Sequence, residues 1–200
     1  AGSHYYEFTI KLPEACPPSY QCAFGKIVYE LRATAVSGIK GVQDLVSCAT
    51  VPVGGSLFDL NFLGNNSVPT SIKDTKAFLL FGNVDYVINL DSKVFYSGDM
   101  IRAKADFQNK SSKVIKPLVA RLVQRIELHS YGKLQKVDEI ILASQVLGSL
   151  EAKQNKNYNI ELQLPTTAPE SVFRKDIDKK KACGKIIQIA YQIVLHGEVS

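Results

Sequence analysis

The sequence predicts an all-β chain folded as an antiparallel β-sandwich, and three observations carry that expectation. Short runs alternating apolar and polar residues recur along the chain. Turn-forming Gly, Asn and Pro residues punctuate them at intervals of roughly 8–15 residues. Helix-period patterning is almost absent.

The chain has 200 residues, enough to bury a real core as one large domain or two small ones. A hydrophobic fraction of 46% and a charged fraction of 22% describe a globular protein and argue against disorder, collagen or a coiled coil. No apolar run approaches the roughly 18 residues of a spanning helix, and no basic segment with an apolar core opens the chain as a secretory signal. Ala1–His4 (residues 1–4) reads as a cloning scar and is set aside.

Taken in order, Phe8-Thr9-Ile10-Lys11-Leu12 alternates as a strand, and so, less cleanly, does Lys26–Ala33. Between them Pro13–Tyr20 cannot be a central strand, because each proline lacks a backbone donor. Turn clusters at Ser37-Gly38, Lys40-Gly41, Val53-Gly54-Gly55 and Leu63–Pro69 mark a loop-rich tract with a domain boundary near residues 64–72. Strands then follow at Val84–Leu90 and Met100–Phe107, the second introduced by Ser97-Gly98-Asp99. The long run Ile115–His129 tolerates a helix, but its β-branched residues and Pro117 favour a strand. Lys136–Ser144, Asn157–Leu164 and Ile186–His196 complete the set. No internal repeat and no low-complexity tract are read.

The net charge of +5 is uneven. Residues 1–100 carry 7 basic and 9 acidic side chains, net −2, and residues 101–200 carry 17 and 10, net +7. Such a half favours anionic partners, though it is also common on solvated sheets. Its densest part, Arg174-Lys175-Asp176-Ile177-Asp178-Lys179-Lys180-Lys181, reads as a loop. Near an anionic bilayer it would gain roughly 1 kcal/mol per cation. No aromatic residues interleave to stack bases, so nucleic acid is not expected as a partner.

Catalytic chemistry finds little support. His129 and His196 stand on strands outside any nucleophile motif, and no glycine-rich phosphate loop is present. Cys16, Cys22, Cys48 and Cys183 lack metal-ligand spacing. They read as reduced thiols, with Cys16 and Cys22 near enough in sequence to pair across a turn. No cofactor and no metal are expected, and the chain is not read as an enzyme. Pro17-Pro18-Ser19-Tyr20 matches PPxY, the ligand of WW domains. Wedged between two strands, it reads first as a fixed turn with Tyr20 packed inward.

These stretches together resemble the arrestin family, the α-arrestins in particular. Phe8-x-Ile10-x-Leu12-Pro13, then Pro17-Pro18-Ser19-Tyr20 and Gly25–Ala33, look like the late strands of an arrestin N-terminal domain. Phe58-Asp59-Leu60-Asn61 is similar to the segment joining the two domains. Phe95–Asp99 with Asn109–Pro117 looks like the opening of the C-terminal domain, and Ile186–Val194 resembles a strand near its end. The resemblance implies an immunoglobulin-like β-sandwich of the arrestin type. It divides the chain into late N-domain strands (5–47), a linker (48–72) and a C-like domain (73–200). It also implies a non-catalytic adaptor in the cytoplasm or at the plasma membrane or endosomes, acting in endocytosis, sorting or ubiquitin-ligase recruitment. Its partners would be membrane-protein tails, WW-domain ubiquitin ligases and an anionic membrane surface. Arg121 and Arg125, four apart and so on one face of a strand, are the candidate partner-binding residues. With them stand Arg174, Lys175, Lys179, Lys180 and Lys181, and Pro17, Pro18 and Tyr20 as a PPxY. Uncovered strand edges would favour a homodimer. The rival reading is an extracellular adhesion-type sandwich, which an oxidised Cys16–Cys22 pair would support.

Overall fold

The computed structural model describes residues 3–13, 16–54, 67–78, 80–172 and 186–199. They form eleven strands and no helix: β1 (Tyr20–Cys22), β2 (Gly25–Ile27), β3 (Tyr29–Ala35), β4 (Leu45–Val51), β5 (Thr70–Phe78), β6 (Gly82–Leu90), β7 (Met100–Asn109), β8 (Ile115–Ser130), β9 (Lys133–Leu150), β10 (Asn155–Gln163) and β11 (Ile187–Val199). The chain divides into two compact units. One comprises Ala1–Leu57 with Val172–Lys185, the other Phe58–Ser171 with Ile186–Ser200.

The second unit is a sandwich of two antiparallel sheets, ordered β10-β7-β6-β5 and β11-β8-β9. Period-two patterning explains its core. Ile101, Ala103, Ala105 and Phe107 of β7 are buried, and the intervening polar residues face solvent. Tyr158, Ile160 and Leu162 of β10 and Leu118, Ala120 and Leu122 of β8 join the same apolar cluster. Phe107 meets Tyr158 edge-on at 5.7 Å between ring centres, a favoured aromatic geometry. One buried polar group closes an end of the sandwich: the Asn109 amide donates to the carbonyls of Lys113 and Glu151. The long run beginning at Ile115 is a strand, as its β-branched residues predict.

Exposed sheet edges invite pairing with other chains, and two are managed here. On β9, Gln135, Leu142 and Leu147 are extra residues against β8, so the edge is irregular along its length. On β10 the Gln145 side chain serves the open backbone, donating to the Asn159 carbonyl and accepting from the Glu161 N–H.

The first unit holds two ribbons, β1–β2 and β3–β4. Here the structure corrects the sequence reading three times. Phe8–Leu12 is not a strand despite its alternation, because nothing among the described residues pairs with it. The tract read as loop and linker contains β4, and β5 begins at Thr70 within the 48–72 span. Gly and Pro clusters mark turns, and here they bracket strands whose own residues alternate weakly.

The third correction is that the chain does contain an internal repeat. Tyr6-x-Phe8-x-Ile10-x-Leu12-Pro13-x-x-Cys16-Pro17-x-Ser19 matches Tyr158-x-Ile160-x-Leu162-x-Leu164-Pro165-x-x-Ala168-Pro169-x-Ser171, residue for residue in spacing. The local geometry repeats too. Cys16 N–H donates to the Pro13 carbonyl at 3.2 Å, and Ala168 N–H to the Pro165 carbonyl at 3.1 Å. In each unit a later tyrosine hydroxyl donates to the second proline's carbonyl, Tyr29 to Pro17 and Tyr191 to Pro169.

Candidate functional site

Three surfaces carry the residues singled out above, and the structure adds one more. The first is Pro17–Tyr20. Pro17 and Pro18 are half-buried, and the Pro17 carbonyl accepts the Tyr29 hydroxyl at 2.6 Å. The Ser19 N–H donates to the Val53 carbonyl at 2.7 Å. In return the Val53 N–H donates to Ser19 Oγ at 2.9 Å. Tyr20 opens β1 opposite Ile27 and is half-buried. The segment is thus held at the carbonyl, amide and side-chain level. Cys16, Cys22 and Cys48 are free thiols.

The second surface is the face of β8 bearing Arg121 and Arg125. Arg125 is already occupied, its Nε 2.9 Å from Glu127 and its NH1 2.9 Å from Glu139. The hydrogen bond from Arg125 is the main influence holding the Glu127 carboxyl below its ordinary value. His129 Nε2 lies 3.2 Å from the other oxygen of Glu127. The result is a ladder, Glu139–Arg125–Glu127–His129, in which the cation is matched internally. Arg121 has no ion-pair partner among the described residues. The two arginines therefore share a strand face but not a state, and spacing alone does not register Glu139, the carboxylate brought in by β9.

The third surface was not expected from the sequence. At the β5–β6 turn Leu80 is 96% exposed with φ 66°, and Phe81 is 45% exposed. Lys113 Nζ stands 4.6 Å from the Phe81 ring centre, within cation–π range. The Ser112 N–H donates to the Phe81 carbonyl, and the Lys110 N–H to the Asn83 carbonyl. The β7–β8 loop is thereby fastened under the turn. A side chain at Gly82 (φ 99°) would meet the Lys110 carbonyl at 3.0 Å, so the tight approach needs glycine. Asp85 braces the cluster, accepting from Lys110 at 2.6 Å, Thr75 at 2.7 Å and Asn83 at 2.8 Å. These bonds, Lys110's foremost, lower its pKa. Lys153 adds a third ammonium, donating to the Lys110 carbonyl. The sequence signal is Gly82 directly after the apolar run 78–81, a residue suited to a tight turn.

The fourth, Arg174, Lys175, Lys179, Lys180 and Lys181, lies outside the described residues. Among the described residues no group of three or more His, Cys, Asp or Glu converges on a metal-sized site. None of the helices required to cross a membrane is found there either.

The family model described as "Arrestin (or S-antigen), C-terminal domain" matches residues 81–200, and that for the N-terminal domain matches residues 1–53. Mouse Arrestin domain-containing protein 1 is 29% identical over 178 residues, covering 86% of this chain and 40% of its own length. Arrestin domain-containing protein 15 of Caenorhabditis elegans is 25% identical over 207 residues, covering 97% and 54%. The human Arrestin domain-containing protein 1 is 27% identical over 178 residues, covering 86% and 40%. The chain thus spans between 40% and 54% of the length of these relatives.

Proposed function

Because this chain belongs to the arrestin family, we propose that it is a non-catalytic adaptor that binds the cytoplasmic tails of membrane proteins while resting against an anionic membrane face. Its place would be the cytoplasm and the inner surface of the plasma membrane or endosomes, in endocytosis, sorting or ubiquitin-ligase recruitment. The observation that carries the membrane part is the β5–β6 turn. An exposed Leu80 and Phe81, with Lys113 against the Phe81 ring and Lys153 on the adjoining loop, pair an apolar wedge with cations. Such a combination gains from burying apolar area and from attraction to acidic headgroups. Arg121, lacking an internal carboxylate partner among the described residues, remains the β8 cation suited to an acidic or phosphorylated tail, together with the basic run 174–181. Recruitment of WW-domain ligases would run through Pro17-Pro18-Ser19-Tyr20. The uncovered apolar positions of residues 5–12 favour self-association, which a solution mass equal to one chain would remove.

Vesicle flotation tests the membrane part. Phosphatidylserine-containing vesicles should carry the chain and pure phosphatidylcholine vesicles should not. Leu80→Asp and Lys113→Glu should each lower recovery about tenfold, whereas Arg121→Glu should leave it unchanged and weaken capture of a phosphorylated tail peptide. Equal recovery on both vesicles, or indifference to Leu80→Asp, would sink the assignment.

A further inference from the structure

We propose that Pro17-Pro18-Ser19-Tyr20 is a WW-domain ligand kept closed by the fold, and that the Tyr29 hydroxyl together with Ser19 forms its latch. The proposal rests on the WW-ligand part of the reading above and adds the element that controls it.

A WW groove grips PPxY as an extended polyproline segment, with the prolines and the tyrosine ring free to enter it. Here the segment is held along its backbone at three of its four residues. The Pro17 carbonyl is held by Tyr29, the Ser19 backbone and hydroxyl are bonded to Val53, and Tyr20 is paired across β1–β2. Binding therefore has to break these bonds first, each worth about a two- to tenfold factor in an equilibrium. The apparent affinity falls by the fraction of molecules in which the segment is open.

The repeat explains why closure is the default. Pro169–Val172 has the same turn and the same tyrosine bond, from Tyr191, but reads Pro-Glu-Ser-Val and is no WW ligand. The tyrosine–proline bond is thus a fold device present in both units, and the ligand motif is written onto the copy in the first. That copy is also the easier one to open. β1 and β2 are three residues each in a two-stranded ribbon, a form that is marginal in water, and such elements open locally at low cost.

The test measures binding of a purified PPxY-specific WW domain to the whole chain, with a synthetic peptide of residues 14–24 as the open reference. The peptide should bind at least about thirtyfold more tightly than the native chain, and Tyr29→Phe should tighten the chain about five- to tenfold. Ser19→Ala should act in the same direction, since Ser19 is the unread position of the motif and loss of its hydroxyl frees the Val53 N–H. Tyr20→Ala should abolish binding by chain and peptide alike. Unchanged amide protection in β3 and β4 certifies that the first unit remains folded in each variant. A peptide that fails to bind overturns the WW reading itself. A peptide that binds while Tyr29→Phe and Ser19→Ala match the native chain leaves that reading intact and overturns the latch.

Discussion

Residues 6–12 and β10 of this chain are two versions of one pattern with opposite fates. Tyr158, Ile160, Leu162 and Leu164 are 8%, 0%, 1% and 6% exposed, whereas their counterparts Tyr6, Phe8, Ile10 and Leu12 are 80%, 67%, 63% and 47% exposed. The alternation is the same and the residues are, if anything, larger in the first copy. The difference is β7, which pairs with β10 from Met100 to Gln108 and seats its apolar face on the core. Alternation chooses which side chains share a face. It does not supply the strand that makes the face worth burying.

The strongest way to break that comparison is to truncate the matched pair. Ile160→Ala should lower the unfolding free energy by about 2–5 kcal/mol, through lost burial and the cavity left behind. Ile10→Ala should change it by no more than about 0.5 kcal/mol. Denaturant unfolding of both variants decides, and comparable losses would mean that residues 6–12 are covered in solution.

A middle-sized effect comes from the two tyrosine–proline bonds. Tyr191→Phe leaves the Pro169 carbonyl and the amide of the buried Gln124 without the hydroxyl they share, which should cost about 1–3 kcal/mol. Burial raises the Tyr191 pKa, in keeping with a hydroxyl that stays protonated as a donor. Tyr29→Phe removes one bond in a less buried setting and should cost about 0.5–1.5 kcal/mol. Thermal melts rank the two, and a larger loss at Tyr29 would reverse the contrast between the units.

The smallest expected effect is on acid stability. Asp85 and Glu127 both have lowered pKa values, chiefly through hydrogen bonds from Lys110 and Arg125. Each binds its proton less readily folded than unfolded. Their contribution is therefore complete above the usual carboxylate range and is lost as pH falls through that range and below. Both groups are half-buried at the surface, where water still screens them, so the change should be modest. Urea midpoints should decline below about pH 5, and Lys110→Met should flatten part of that decline. Midpoints that hold steady to pH 3 would dismiss both pairs as contributors.

Legibility in the sequence followed the same division. β6, β7, β8, β10 and β11 were readable because each has an apolar face that the fold buries or half-buries. β4 and β5 were not, since their faces are exposed over most of their length and carry little patterning for burial to have imposed. Arg121 and Arg125 were found by type and spacing. The carboxylate that distinguishes them, Glu139, arrives from β9 across a sheet register with three extra residues on that strand.

What the sequence determined by itself is the all-β class, the alternating faces, the turn positions and the family, because these depend on short-range periodicity and on the order of motifs along the chain. The tertiary structure decided which face finds a partner strand, which arginine is neutralised, and that Pro17–Tyr20 is bonded shut rather than offered. It also brought Leu80 and Phe81 over the lysines of a loop about thirty residues away. Each of these depends on pairing between segments distant in the chain, where the free energy belongs to the contact and to neither segment alone.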